Sequence, residues 1–297
     1  MIKKKLYFGN ATRLSVQQQQ LLIKTEERGT SVPIEDIGLV IIDHYQTSVT
    51  HAVLHLLLEN NVAFITCNDK HHPTGLLLNL DGHTQQSEKF KAQIEASEPL
   101  KKQLWQQTIK SKINNQAAVL EKWELDNSYL KRYAQLVLSG DSSNQEAQAA
   151  RYYWKMLFNE EEPFFVRERF GDYPNNFLNY GYAILRATVA RSLVGSGLLP
   201  TLGIHHRNKY NAYCLADDIM EPYRPYVDHL VKELINEIPN EQDLSKEIKR
   251  RLLEIPALDI IIDGKASPLM VGLQRTTASV AKCIEGETKK ILYPEFK

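Results

Sequence analysis

The spacing of apolar residues divides the chain into two parts of different character. Within the first 80 residues, short apolar runs alternate with turn residues, which is typical of β-strands. The predicted strands lie at residues 6–8, 21–24, 31–34, 39–42, 62–67 and 76–80. Residues 47–59 instead repeat their apolar side chains at three- and four-residue intervals, which predicts one helix.

From residue 88 onward, the apolar spacing is helical over long stretches. The predicted helices cover residues 89–95, 99–123, 144–158, 176–196, 212–238, 244–253 and 276–283. A polar stretch at 81–87 separates the two patterns. We therefore predict an α+β protein with a small β-rich N-terminal domain at 1–80, a linker at 81–92 and a larger, all-helical C-terminal domain at 93–297.

Composition narrows the class of protein. Of the 297 residues, 43% are hydrophobic and 24% are charged, which is ordinary for a globular protein and excludes a disordered chain or a disulfide scaffold. Lys plus Arg and Asp plus Glu are each 36, so a globally basic surface for nucleic acid is excluded but a local basic patch is not. Three distant cysteines form no CxxC motif, and no apolar run approaches the roughly 18 residues that span a bilayer. We expect a cytoplasmic protein with no membrane contact.

The densest group of polar side chains lies at residues 203–225. Pro200 and Gly203 mark a turn, and His205 and His206 follow it directly. Adjacent side chains point in different directions, so we expect one of the two histidines to bind a ligand. A lone histidine is, however, more often an ordinary core or surface residue.

Acidic side chains follow the histidines at helical spacing. Asp218 and Glu221 are three residues apart and Asp217 and Glu221 are four apart, so a helix would place them on one face. Their repulsion requires a cation between them. That cation is either a divalent metal ion or a basic side chain, for which Arg207 and Arg224 are candidates.

Pro222 favours a helix break just after Glu221, where side chains can converge. Carboxylates together with imidazole suit Mn²⁺ and tolerate Mg²⁺, and they do not resemble a thiolate zinc site. From spacing alone, a metal site and a set of surface salt bridges remain equally good interpretations.

Glu146 is a second candidate, and it has a simple structural explanation. Ser143 and Glu146 match a capping box, in which the glutamate reaches back to the start of the helix. The spacing alone does not connect Glu146 with His206.

A basic stretch without any acidic residue occupies residues 101–115. It contains Lys101, Lys102, Lys110 and Lys112. The stretch predicts either a solvated helix face or a stripe that contacts phosphates.

Four stretches together resemble a known family, the CRISPR-associated integrase, which is the metal-dependent endonuclease of spacer acquisition. They are residues 144–154, 178–203, 205–211 and 215–228, and the resemblance covers nearly the whole chain. Residues 216–225 are similar to the type II subset of the family; their sequence is Ala-Asp-Asp-Ile-Met-Glu-Pro-Tyr-Arg-Pro. The locus of that subset also encodes an RNA-guided effector nuclease.

The resemblance implies a fold and a set of partners. It implies a homodimer formed through the N-terminal β-domains, and a heterohexamer in which two such dimers hold a dimer of a small ferredoxin-like adaptation partner. It further implies binding of double-stranded DNA, both the protospacer and the CRISPR repeat, and a contact with the effector nuclease.

The resemblance also assigns roles to residues. The family's catalytic metal ligands match Glu146, His206 and Glu221, with Mg²⁺ or Mn²⁺ as the cofactor. Asp218 and His205 would be neighbouring ligands or would orient the first three. DNA contacts are expected from basic positions at Arg207, Lys209 and Arg224.

The reaction implied is insertion of short foreign DNA into a CRISPR array, in which a 3′-hydroxyl attacks a phosphodiester at the end of a repeat. Two alternatives remain: a metal-dependent nuclease that acts on branched DNA outside CRISPR adaptation, and a non-catalytic DNA-binding scaffold. No GxxxxGK[ST] motif is present, in keeping with an exchange of phosphodiesters that needs no ATP.

Overall fold

The computed structural model describes residues 3–69, 71, 73–80, 82–158, 165–169, 171–239 and 241–297. It divides into two compact units, Met1–Thr84 and Gln85–Lys297. Among the described residues, no helix has the length and apolar character needed to cross a membrane.

Over its described residues, the N-terminal unit contains two four-stranded sheets and one α-helix. Its strands are β1 (Lys4–Phe8), β2 (Arg13–Gln17), β3 (Gln20–Lys24), β4 (Gly29–Pro33), β5 (Ile37–Ile42), β6 (Ser48–Val49), β7 (Ala63–Cys67) and β8 (Pro73–Leu77), and helix α1 is His51–Glu59. One sheet has the strand order β1-β5-β7-β8 and the other has the order β4-β3-β2-β6.

Strand β5 lies inside its sheet between parallel partners β1 and β7. A parallel strand covered on both faces is expected to be apolar throughout, and β5 reads Ile-Gly-Leu-Val-Ile-Ile. Val53 and Leu57, four residues apart on α1, are fully buried in the same core as Leu14 of β2 and Val40 of β5. The core of this unit therefore joins both sheets and the helix.

The strand pattern predicted from the sequence is largely confirmed in this unit. The last strand runs over Pro73–Leu77 rather than 76–80, and β2 was not predicted. Helix α1 begins only at His51, because Ser48 and Val49 pair with β2 as strand β6.

The C-terminal unit is mainly helical. Its elements are α2 (Gln86–Glu95), α3 (Glu98–Lys122), α4 (Ser128–Leu136), α5 (Gln145–Leu157), α6 (Asn175–Gly195), α7 (Cys214–Met220), α8 (Arg224–Glu237), α9 (Lys246–Leu252), β9 (Asp259–Ile262), β10 (Lys265–Pro268) and α10 (Leu269–Ile284). Helix α6 is buried along most of its length and packs against α7, α8, α9 and α10.

Two features of this unit differ from the sequence prediction, and a third confirms it. The unit is not all-helical, because β9 and β10 form an antiparallel hairpin before α10. Helix α2 begins at Gln86, inside the stretch 81–92 that was expected to be a linker. The break expected at Pro222 within residues 212–238 is confirmed: a 3-10 turn at Glu221–Tyr223 separates α7 from α8, and Pro222 has no N–H to donate.

Candidate active site

Two carboxylates from different helical segments meet at one ammonium group. Glu146 lies in the first turn of α5, and Glu221 opens the 3-10 turn between α7 and α8. The Lys112 Nζ atom of α3 lies 2.7 Å from Glu146 Oε1 and 2.6 Å from Glu221 Oε2. The structure thus brings Glu146 and Glu221 together, although they are far apart in sequence.

Burial and charge act in opposite directions in this cluster. Burial alone would lower the pKa of Lys112, but the charges of Glu221 and Glu146 raise that pKa above its usual value. Burial would likewise raise the pKa of Glu221, but Arg224 and Lys112 hold it below its usual value. Lys112 and Glu221 are therefore both charged at neutral pH.

Asp218 organises the turn that carries His206. Its side chain is completely buried, and its Oδ2 atom accepts hydrogen bonds from the backbone N–H groups of Ile204 at 2.7 Å and His205 at 3.0 Å. Its Oδ1 atom accepts a third backbone bond from His206 at 3.2 Å and lies 2.5 Å from His206 Nδ1. This contact raises the pKa of His206. Asp218 therefore orients His206.

Gly203 is required for this arrangement. A Cβ atom at this position would lie 2.4 Å from the carbonyl oxygen of His206 and 2.7 Å from Asp218 Oδ2. Any larger residue would therefore push the turn away from Asp218.

A buried tryptophan supports both histidines. The Trp105 ring of α3 stacks on the His205 ring with 4.1 Å between centroids, and it meets the edge of the His206 ring at 5.7 Å. Burial lowers the pKa of His205. His205 thus packs against Trp105, and His206 is the histidine that interacts with a carboxylate.

The capping box predicted for Glu146 does not form. The N-cap residue of α5 is Asn144, whose φ of 53° is left-handed and whose side chain makes no capping bond. Asp141 caps the helix instead, because its Oδ1 and Oδ2 atoms accept the N–H groups of Gln145 at 2.9 Å and Glu146 at 3.0 Å. The carboxylate of Glu146 is therefore available to Lys112.

Asp217 and Glu221, which follow the histidines in sequence, form ion pairs with different basic side chains. Asp217 Oδ1 lies 2.6 Å from Arg186 Nε, and its Oδ2 accepts a hydrogen bond from Asn211 at 2.7 Å. Glu221 instead pairs with Lys112 and, at 2.9 Å, with Arg224 Nε. The repulsion expected at this helical spacing is thus removed by basic side chains.

The three predicted DNA contacts occupy different environments. The side chain of Arg224 is only 24% exposed and lies over the Tyr182 ring at 4.5 Å, so it is part of the site's own packing. Arg207 is exposed and pairs with Glu98, and Lys209 is exposed and lies 4.8 Å from the centre of the Tyr210 ring. Arg207 and Lys209 are therefore the two that face solvent.

The buried carboxylate of Asp228 is connected to Arg224 through Tyr182. Asp228 accepts hydrogen bonds from the hydroxyl groups of Tyr153, at 3.1 Å, and Tyr182. Burial outweighs these bonds and raises the pKa of Asp228 to about 7. Tyr182 thus connects Asp228 with Arg224 and, through it, with Glu221.

The donor set fits a hard divalent cation. Two carboxylate oxygens face the same point, and the buried Glu221 Oε2 atom makes no contact of hydrogen-bond geometry among the described residues, despite its closeness to Lys112. Within those residues, no three His, Cys, Asp or Glu side chains already enclose a metal-sized site. The ammonium of Lys112 stands where two of the three predicted ligands meet.

Sequence reasoning missed the contribution of helix α3. Lys112 was assigned to a solvated or phosphate-binding face, but it is 9% exposed and contacts both carboxylates. Trp105 and Lys112 are seven residues apart, or two helical turns, so they share one face of α3. The apolar residues Ile109 and Ile113 beside that face were the signal that Lys112 points inward.

Comparison with known proteins identifies the family. Residues 6–262 match the family described as CRISPR associated protein Cas1. The chain is 36% identical to the CRISPR-associated endonuclease Cas1 of Neisseria meningitidis serogroup C (strain 8013), with all of this chain and 97% of that protein covered.

Solved structures show the same fold. A casposase bound to integration product superimposes with a TM-score of 0.83 at 20% identity, covering 99% of this chain and 94% of that one. A Cas6-RT-Cas1–Cas2 complex gives a TM-score of 0.78 at 21% identity, with all of this chain and 36% of that chain covered. On the extent of the family match and the full-length identity to a curated relative, this chain belongs to the Cas1 family of CRISPR-associated proteins.

Proposed function

We propose that this protein is a DNA integrase and endonuclease of CRISPR spacer acquisition, with Glu146, His206 and Glu221 as its catalytic residues. Family membership supports the activity, because the Neisseria relative is named an endonuclease and the casposase was solved with an integration product. The observation that carries the site is the meeting of Glu146 and Glu221 at one buried point, beside the turn that Asp218 fixes for His206.

Glu146 and Glu221 would hold Mg²⁺ or Mn²⁺ through their oxygens, and His206 would bind through the ring nitrogen that Asp218 leaves available. A bound divalent cation would polarise a phosphoryl oxygen and make a hydroxyl group easier to deprotonate. The hydrogen bond from His206 Nδ1 to Asp218 keeps the lone pair on Nε2 and fixes the plane of the ring.

The chain's own residues then perform strand transfer. As an alternative to binding the metal, the Nε2 lone pair of His206 would accept the proton of the attacking 3′-hydroxyl, because Nδ1 is already bonded to Asp218. The new phosphodiester forms as the old one breaks, and the leaving 3′-oxygen takes up a proton. The number of phosphodiester bonds is unchanged, so the reaction requires no nucleotide cofactor.

DNA would be held mainly through its phosphates. Arg207 and Lys209 face solvent close to the His206 turn, so they are suited to backbone contacts. Such contacts release counterions, and binding should therefore weaken steeply with salt. Arg224 would act from within the site, where it pairs with Glu221.

The partners follow from the family. The structurally similar chain in the Cas6-RT-Cas1–Cas2 complex supports a second, adaptation partner for this chain as well. We propose a homodimer formed through the β-rich unit, a heterohexamer with a ferredoxin-like partner, and a contact with the RNA-guided effector nuclease in the cytoplasm.

A disintegration assay tests the proposed reaction directly. The substrate is a labelled branched DNA that mimics a half-integrated product, incubated with this protein and Mn²⁺ or Mg²⁺ alone. His206→Ala and Glu146→Ala are compared with wild type, and Glu88→Ala is the matched control because Glu88 is an exposed glutamate in the first turn of α2.

We expect religated product from wild type and Glu88→Ala only. Product from all four proteins would show that the wrong residues were chosen. No product from folded wild type would favour a DNA-binding scaffold, particularly if Glu221→Ala left metal binding unchanged. Cleavage without religation would favour a nuclease for branched DNA.

A further inference from the structure

Lys112 is a charged residue of the site to which neither the family match nor the sequence motifs assign a role in metal binding. We propose that Lys112 is a positioning residue: its ammonium holds Glu146 and Glu221 in place when no divalent cation is bound, and it gives way when the cation binds. The proposal rests on the proposed metal ligation by these two glutamates.

The contacts of Lys112 show why the two carboxylates converge on it. Its Nζ atom donates a hydrogen bond to Glu146 at 2.7 Å and lies 2.6 Å from Glu221 Oε2. Within the described parts of the chain, Lys112 is the cation that forms ion pairs with both glutamates, whereas Arg224 pairs with Glu221 alone. Lys112 thus occupies the point that a shared metal ion would need.

The two glutamates require such a cation when the metal is absent. Glu221 is 4% exposed, and the side chain of Glu146 is 27% exposed. Two carboxylates this close repel one another, and without a counter-charge between them they would move apart. Lys112 therefore holds both carboxylates at the point where they would ligate the metal.

The same position makes Lys112 a competitor of the metal. A divalent cation binds carboxylate oxygens at about 2.0–2.2 Å in the case of Mg²⁺. An ammonium that contacts the same oxygens cannot remain in place, because the two cations would overlap and repel. Binding of the metal therefore requires the side chain of Lys112 to move.

The backbone of Lys112 is fixed, so this movement is confined to its side chain. Three residues further along α3, Asn115 donates hydrogen bonds to the carbonyl groups of Pro222 at 2.7 Å and Pro294 at 3.1 Å. Asn115 also accepts the N–H of Phe296 at 3.0 Å. These bonds tie α3 to the turn that carries Glu221. The four-carbon stem of lysine supplies the flexibility that the backbone lacks.

Lys112→Met tests the proposal through metal affinity. The matched control is Lys89→Met, because Lys89 is also buried in this unit and bonds both oxygens of Glu285 at 2.8 and 2.9 Å, away from the site. We expect both variants to unfold at a lower temperature than wild type in EDTA. Lys112→Met alone should bind Mn²⁺ more tightly, by about tenfold or more, and show a larger rise in Tm on addition of Mn²⁺.

Chemical labelling of wild type provides a test that does not depend on a variant. Lys112 should be acetylated slowly in EDTA and faster with Mn²⁺, as mapped by mass spectrometry of peptides. The rate at Lys89 should be unchanged. This measurement decides the question if Lys112→Met does not fold.

The failures of the two proposals are distinguishable. If wild type binds Mn²⁺ and religates branched DNA, but Lys112→Met binds Mn²⁺ no more tightly and Mn²⁺ does not expose Lys112, then Lys112 is a structural ion-pair partner and the inference is overturned. If wild type neither binds Mn²⁺ nor religates DNA, the proposed function itself fails.

Discussion

Replacing Asp218 by Asn tests how His206 is held. The Asp218 side chain accepts three backbone N–H groups and contacts His206 Nδ1. An asparagine oxygen can retain the bonds of Ile204 and His205, but its NH₂ group would face the two donors on His206. The charge-assisted backbone bond of His206 would then be lost at about 1.5–3 kcal/mol, and the bond to Nδ1 would be replaced by a neutral one that is about 1 kcal/mol weaker. At the lower end, the total is about 2.5 kcal/mol, or roughly 5–10 °C in Tm for a unit of this size.

The substitution should also change the chemistry of His206. Beside a carboxylate, Nδ1 carries the proton and Nε2 offers its lone pair. Beside an amide NH₂ group, Nδ1 must accept a hydrogen bond, so the neutral ring carries its proton on Nε2. The ring then has no lone pair for a metal or a proton at that atom. We expect strand transfer and Mn²⁺ affinity to fall further than the loss of stability explains.

Asp217→Asn is the matched control for this experiment. Asp217 is the adjacent carboxylate and is also paired, with Arg186 and Asn211, but its hydrogen bonds do not involve His206. Thermal unfolding gives the loss of stability, and ¹⁵N NMR of the histidine ring gives the tautomer. The reasoning is refuted if Asp218→Asn unfolds within 1–2 °C of wild type by roughly the same scale, or if Nδ1 remains protonated.

Three further predictions follow from the surroundings of the site. Burial raises the pKa of Asp228 to about 7, whereas an unfolded aspartate titrates near 4, so the wild-type free energy of unfolding should fall by about 1.4 kcal/mol per pH unit between these values. Asp228→Asn lacks this slope and should gain stability relative to wild type from pH 5 to pH 8; an equal difference in unfolding free energy at both values would contradict the assignment. Trp105→Ala removes the surface on which His205 stacks, and it should lower the free energy of unfolding, measured with denaturant, by about 3–5 kcal/mol. It should also reduce the rate of disintegration. An unchanged rate would show that the stack does not position the site. Lys209→Glu should weaken DNA binding at low salt with little change in Tm, whereas Arg224→Glu should lower the Tm as well, because it breaks the ion pair with Glu221; equal Tm values for the two variants would exclude this difference.

The sequence predicted the elements whose pattern is local. Helical and strand spacing located most of the helices and strands, and Pro222 located the break between α7 and α8. The hairpin of β9 and β10 was missed, because two four-residue strands carry too little periodicity to stand out beside long helices.

The site residues could be predicted from sequence spacing only in part. Spacing gave Glu146 a capping role, and only the resemblance to a family connected it with His206 and Glu221. The structure shows why spacing failed: Asp141 caps α5 and releases Glu146 toward a lysine from another helix. Which cation pairs with which carboxylate depends on the tertiary structure, so charge alone could not distinguish Lys112 from the other lysines of residues 101–115.

The zero net charge of the whole chain says nothing of how charges are paired locally. At the site, two acidic and two basic side chains balance one another. Glu146 and Glu221 contribute two negative charges, and Lys112 and Arg224 contribute two positive charges. A divalent cation added to this set gives an excess of positive charge at a point where most of the groups are buried. Anionic phosphodiesters are the ligands that such an excess favours, and strand transfer takes place at one of them, whose phosphorus exchanges the leaving 3′-oxygen for the attacking one. This neutral set of four groups is therefore suited to a reaction in which the metal and the DNA bind together, and Mn²⁺ affinity should rise when DNA is present.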